Sequence, residues 1–446
     1  MMPRHSLFIA SLVLALAVGG CSWMPSWMGG KKEEKPKLEG ERIAVLPVSA
    51  GYKADESLKD TPVVLPQAAA NADWSQHSGA VTSASGNLAG GAFDAASHAE
   101  AGKGNAFETT RVPPPVVAGG TVFAMDAAGY VSAHDAAHIG TLRWTSPAVS
   151  EEDAPLIMDG GLAFADGKLY AASGRGIVAA LDAASGKELW RKSLLVPLHG
   201  SPRVADGKVF VLTLDDQAYA LNAENGEVAW NHRGIGETAE LMSGIAPVAA
   251  GGLVLIPYSS GELYGLASAD GKEIWSDAIS GGARTQATAF FSGIGGDPVV
   301  DGSVVLAVSS GGKMSAIALS NGRPLWERPI GSINTPWLAG DYLFVLTSDN
   351  TLLCLFKYDG RIRWATKLKD FANAKEKKDP IAWRGPALVD GKLAVIGSNG
   401  QLVLVSATDG SIVATKEIAE NIYTPPVIAD GRMYLLGQDA TLYELH

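Results

Sequence analysis

VAALDAASGKELW (residues 178–190) is written again along the chain as AYALNAENGEVAW (218–230), LYGLASADGKEIW (263–275), MSAIALSNGRPLW (314–326) and LLCLFKYDGRIRW (352–364). VSAHDAAHIGTLRW (131–144) is the same unit with one residue inserted, and LVLVSATDGSIVA (402–414) carries Ala414 where the others carry tryptophan. Gly140, Gly186, Gly226, Gly271, Gly322 and Gly360 each stand four residues before Trp144, Trp190, Trp230, Trp275, Trp326 and Trp364. Self-similarity at a fixed period outranks length as a guide to architecture, because each repeat is one supersecondary unit stacked on its neighbours.

Upstream of these segments lies a second regularity. VADGKVFVLTLDD (204–216), VDGSVVLAVSSGG (300–312), LVDGKLAVIGSNG (388–400) and IADGRMYLLGQDA (428–440) each place Asp-Gly before an alternating apolar run and a Gly, Asn or Asp turn. Asp-Gly favours tight hairpin turns because both residues tolerate positive φ. Period-two alternation of β-branched and aromatic residues reads as strand. One repeat therefore holds about four short antiparallel strands, the composition of a propeller blade. Turn starts near Gly119, Gly160, Asp206, Gly251, Asp301, Gly340, Asp390 and Asp430 give eight blades. The last repeat ends ATLYELH without its fourth strand, and an open sheet edge would be a liability. An N-terminal strand near 92–99 (AFDAASHA) is expected to close it, with Phe93 in the tryptophan role; DWSQHSG (73–79), with Trp74, is the alternative. The expected fold is thus an all-β, eight-bladed propeller of four-stranded antiparallel blades over residues 71–446. Each tryptophan is expected to wedge against the next blade. A buried indole covers about 150–250 Å², a gross burial term of roughly 4–6 kcal/mol before entropy.

The N-terminus has a different character. Arg4 precedes a nearly pure apolar run, Leu7–Val18, followed by Val18-Gly19-Gly20-Cys21. The run is shorter than the roughly 20 residues of a membrane-spanning helix and suits the h-region of a signal peptide over residues 1–20. Residues 21–70, with GGKKEEKPKLEGE, are too polar to pack a core and read as a flexible tether, in which ERIAVLPV (41–48) is either a short strand or an extended stretch. Lys and Arg number 36 against 47 Asp and Glu, a net charge of −11 that disfavours a nucleic-acid partner. The chain holds two cysteines, Cys21 and Cys354. Cys354 reads as a buried thiol in the small-residue site that Ala180 and Ala220 occupy.

Other motifs read as structure. HDAAH (134–138) has helical metal-ligand spacing, but aligns with strand and turn. GRGIVA (174–179) joins two strands of blade two, where a dinucleotide fingerprint needs a strand and a helix. There is no nucleophile elbow. NAKEKKDP (373–380) reads as a solvated loop.

Taken together, the segments resemble the quinoprotein-type propeller superfamily and, within it, the BamB family of outer-membrane assembly lipoproteins. Val18-Gly19-Gly20-Cys21 is similar to a bacterial lipobox with Cys21 as the lipidated residue, and Ser22 after it implies the outer membrane, at its periplasmic face. The resemblance implies a non-enzymatic scaffold without cofactor or metal. Its implied partners are the POTRA domains of BamA, other lipoproteins of the β-barrel assembly (BAM) complex and unfolded outer-membrane clients. It places the BamA contacts in the interblade loops 231–247 and 278–298. There the family has an apolar residue and then Arg, where this chain has Leu241 and then Met242, and acidic residues, where Arg284 and Asp297 stand and only Asp297 keeps the charge. The competing class is a periplasmic quinone-dependent dehydrogenase or ligand-binding propeller. Such dehydrogenases, by the same resemblance, carry adjacent cysteines and a carboxylate-amide calcium site; this chain has no Cys-Cys pair.

Overall fold

Asp206 and Gly207 take φ of +51° and +68°, and Asp390 and Gly391 take +46° and +73°, so the Asp-Gly dipeptides do turn hairpins. The computed structural model describes residues 51–83, 86–94, 96–104, 112–149, 160–235, 244–279, 293–419 and 421–446. From Tyr52 onward they form one unit. It holds eight four-stranded antiparallel sheets, each the blade of a propeller, and one separate two-stranded hairpin.

Blade 2 shows the pattern: Gly160–Ala165 lies innermost, then Lys168–Ser173 and Ile177–Asp182, with Glu188–Ser193 at the outer edge. Blade 1 spans 116–146, blade 3 198–233, blade 4 248–278, blade 5 299–328, blade 6 337–367 and blade 7 383–417. Blade 8 takes three strands from the C-terminus (Val427–Ala429, Arg432–Leu436, Thr441–Leu445) and its outer strand, Ala96–Glu100, from the N-terminal part. The strand expected near 92–99 is thus present, shifted by a few residues. Register corrects one detail. Ser97 lies opposite Glu444, in the place where Trp190 lies opposite Ala180. Phe93 is buried in the turn before the strand, at φ +58°, and does not take the tryptophan role.

A small residue faces each tryptophan across the third and fourth strands: Ala133, Ala180, Ala220, Gly265, Ala316 and Cys354. In blade 7 the sizes are exchanged, with Leu404 opposite Ala414. Beside nearly all these pairs the register shifts by a bulge, which strengthens local twist.

The stretch expected to be the end of the tether is packed. Residues 52–66 strap the outer edge of blade 6. Asp55 N donates to Ile362 O (2.8 Å), Arg363 Nε to Thr61 O (2.6 Å) and Tyr342 Oη to Pro62 O (2.8 Å), while Leu58 and Val63 are buried. The chain then follows the innermost strands as a belt, described over residues 69–83 and 86–91, touching each of them or its turn in order. Asn71 Nδ2 donates to Ile428 O of blade 8 (2.6 Å). Trp74 exchanges backbone bonds with Val117 of blade 1, and Ser75 O accepts from Phe164 N of blade 2. Gln76 brackets Val204 of blade 3, accepting from its N–H (3.0 Å) and donating to its carbonyl (2.9 Å). Val81 O and Thr82 O accept from Ala249 N of blade 4 and Val300 N of blade 5. Gly86 pairs with Trp337 and Leu338 of blade 6, Leu88 with Leu388 and Asp390 of blade 7, and Gly91 with Gly431 of blade 8. Having no regular period, this stretch satisfies its backbone on the ends of other strands, as any buried backbone must.

Candidate functional site

The blade seams come first because they fix where the loops stand. Each indole Nε1 donates to a carbonyl of the following blade: Trp144 to Ala183 (3.1 Å), Trp190 to Ala223 (3.0 Å), Trp230 to Ser268 (3.1 Å), Trp275 to Leu319 (2.7 Å), Trp326 to Lys357 (2.9 Å) and Trp364 to Ala407 (3.0 Å). The glycine of the following repeat lies under the ring. A Cβ on Gly226 would stand 2.5 Å from the Trp190 indole, and φ there is +73°. Gly186, Gly271, Gly322, Gly360 and Gly410 repeat the arrangement. The Gly-x-x-x-Trp spacing therefore encodes two halves of two different joints: the glycine receives the previous blade's indole, and the tryptophan enters the next blade.

Two seams lack an indole, and both flank blade 8. Between blades 7 and 8, Ala414 takes the place and Lys416 pairs with Asp94 and the Ala92 carbonyl. Between blades 8 and 1, Ala136 O, the counterpart of Ala183 O, accepts from Tyr434 Oη (3.1 Å) and Arg432 Nη1 (3.3 Å), and Arg432 pairs with the buried Glu444. Gly140 has open space where the other glycines meet an indole.

The interblade rim carries the expected partner contacts. Leu241, Met242 and Arg284 lie outside the described residues, as does Cys21. Asp297 is described, and its placement corrects the expectation: the side chain is wholly buried. Its carboxylate accepts from Arg203 Nη2 (3.1 Å), Ser78 Oγ (3.0 Å) and Ala246 N (2.8 Å), and its Oδ2 lies 2.7 Å from His77 Nδ1. Burial alone would raise its pKa; His77, Arg203 and the Ala246 amide outweigh burial and hold it below the ordinary carboxylate range. Arg203, also fully buried, donates to Pro247 O (2.6 Å) and to the belt carbonyls of His77 (3.0 Å) and Ala80 (2.7 Å). Asp297 thus pins the belt to blades 3 and 5 and is not available to a partner. Sequence reasoning missed both Arg203 and the belt. The available signal was an arginine inside an otherwise apolar first strand, SPRVADG (201–207).

Within HDAAH, His134 is a strand residue bonded to Ile139 O (2.8 Å) and Ser132 Oγ (3.1 Å), and His138 is exposed at the turn. GRGIVA joins two strands, and residues 373–380 belong to an exposed hairpin, Phe371–Asn373 with Lys378–Pro380. Cys354 is buried opposite Trp364, and burial pushes its thiol pKa up. Among the described residues no three His, Cys, Asp or Glu side chains gather as metal ligands.

Known proteins give this architecture a place. The family model described as outer membrane protein assembly factor BamB matches residues 127–366 and 372–446. The chain belongs to the BamB family. Among BamB relatives, that of Escherichia coli (strain K12) is 27% identical over 334 residues, covering 64% of this chain and 83% of the relative. That of Burkholderia pseudomallei is 28% identical over 351 residues, covering 77% and 86%. The crystal structure of BamB from Moraxella catarrhalis superposes with a TM-score of 0.64 at 17% identity, covering 78% of this chain and 99% of that one. The quinohemoprotein alcohol dehydrogenase of Comamonas testosteroni shares the fold, with a TM-score of 0.63 at 14% identity over 84% of this chain and 81% of the enzyme. There is no adjacent-cysteine pair, and the buried Asp297 is already bonded by Arg203, His77, Ser78 and Ala246.

Proposed function

We propose that this chain is a non-enzymatic scaffold of the BAM complex, lipidated at Cys21 and held at the periplasmic face of the outer membrane. In this reading it docks on the POTRA domains of BamA, beside other BAM lipoproteins, and assists folding and insertion of unfolded outer-membrane β-barrel clients. The observation that carries the reading is the match of the BamB family model across most of the ring. Two features of the molecule support it. The innermost strands are engaged by the chain's own belt, which leaves rims and outer edges for contact. The strap begins at Tyr52, beside Gly331 in the connection between blades 5 and 6, on the rim that also bears loops 231–247 and 278–298.

Leu241, Met242 and Arg284 are the proposed contact residues; Asp297, buried against Arg203 and His77, is not one of them. Capture of BamA by the full-length lipoprotein, with and without Leu241→Glu, tests the docking loop. The variant is expected to recover at least tenfold less BamA at equal expression. Equal recovery would remove loop 231–247 from the interface.

A further inference from the structure

We propose that blade 8 is the gate of the ring, and that the two ends of the belt form its clasp. Six seams are fastened by an indole that crosses into the next blade, and the two without one enclose blade 8. One of these is crossed, over an apolar core that blades 7 and 8 share, by Lys416 and the largely exposed Asp94, an ion pair of the kind that contributes little in water. The other rests on Tyr434 and on Arg432, paired with Glu444. Freeing any other blade means withdrawing at least one indole from its carbonyl and glycine; freeing blade 8 withdraws none.

The belt meets itself across the seam between blades 7 and 8. Ala69 N donates to Asn87 O (3.0 Å) and Ala89 N to Ala69 O (2.8 Å). Asn87 receives Gly391 N of blade 7 on Oδ1 (3.1 Å) and donates through Nδ2 to Pro66 O (2.9 Å). Asn71 donates to Ile428 O of blade 8 (2.6 Å). Gly90 N reaches Asp390 Oδ2 of blade 7 (3.2 Å) while Gly91 N reaches Gly431 O of blade 8 (2.9 Å). The incoming and outgoing ends of the belt thus bridge blades 7 and 8 where no indole does. Because the incoming end continues directly from the strap on blade 6, whatever loosens the strap bears first on the clasp. Opening would release Ala96–Glu100 and bare the paired edge of Thr441–Leu445 without disturbing blades 2 to 6.

Hydrogen–deuterium exchange of the full-length chain, read by peptide, tests this with positions matched for place in the blade. In the unaltered protein the amides of Ala96–Glu100 and Val427–Ala429 are expected to exchange at least tenfold faster than Glu188–Ser193 and Val248–Ala250. In Asn71→Ala/Asn87→Ala the blade 8 amides are expected to accelerate at least a further tenfold, with blades 3 and 4 unchanged. Equal exchange of blade 8 and its counterparts in the unaltered protein would overturn the gate. Uniform acceleration of all blades in the double variant would overturn the clasp.

Discussion

A single indole does two things at each seam: it covers apolar surface and it satisfies a carbonyl that the next blade leaves open. Trp190→Ala removes the burial and leaves the Ala223 carbonyl to Tyr170 Oη alone (3.2 Å), and the expected loss is about 3–5 kcal/mol, read from the midpoint of denaturant unfolding. The glycines split by the same logic. Gly226→Ala would drive a methyl into the Trp190 ring at positive φ and is expected to cost at least about 1 kcal/mol. Gly140→Ala meets open space at an ordinary φ and is expected to leave stability within about 0.5 kcal/mol of the parent. A pair of melts on these two variants checks the joint model directly. Cys354 belongs to the same set of positions. Its thiol is expected to react with a disulfide reagent, in a Cys21→Ser background, only after the chain is unfolded.

At the scale of elements, the buried pair beneath the belt is the most sensitive point. Removing one partner of a buried ion pair costs about 3–5 kcal/mol because the other charge stays buried, so Asp297→Ala should destabilise the ring by that amount. The pH dependence has a definite sign. The folded-state pKa of Asp297 lies below its unfolded value of about 3.9. Its contribution is therefore complete above that pH and is lost as the pH falls through the folded value. Unfolding midpoints of the parent and of Asp297→Asn are expected to converge below about pH 4. Legibility in the sequence follows the same division. The blades were readable because Asp-Gly turns and Gly-x-x-x-Trp segments are local and repeated. The closing strand was placed to within a few residues, but Phe93 was misassigned because an aromatic next to a strand carries no register; pairing with Glu444, 347 residues away from Ser97, set it. The belt went unread, and 73–79 was offered as an alternative closing strand, because its bonds run to eight separate blades and leave no period.

Over the whole molecule, the tether was expected to reach residue 70, but the chain is packed from Tyr52. The strap and belt therefore touch all eight blades before the closing strand is reached. The rim loops that carry Leu241, Met242 and Arg284 stand on a frame fixed by six indole joints and the Asp297–Arg203 pair. Their role is the part of the site least legible from one chain, since a docking surface is defined by its partner. The central claim, that this closed ring serves as an adaptor on BamA with no reactive centre of its own, is tested most directly by affinity capture of the full-length lipoprotein from outer membranes. The account predicts BamA and BAM lipoproteins in stoichiometric amounts. Recovery of the protein free of every BAM component, with quinone-dependent dye reduction by the purified chain, would contradict it.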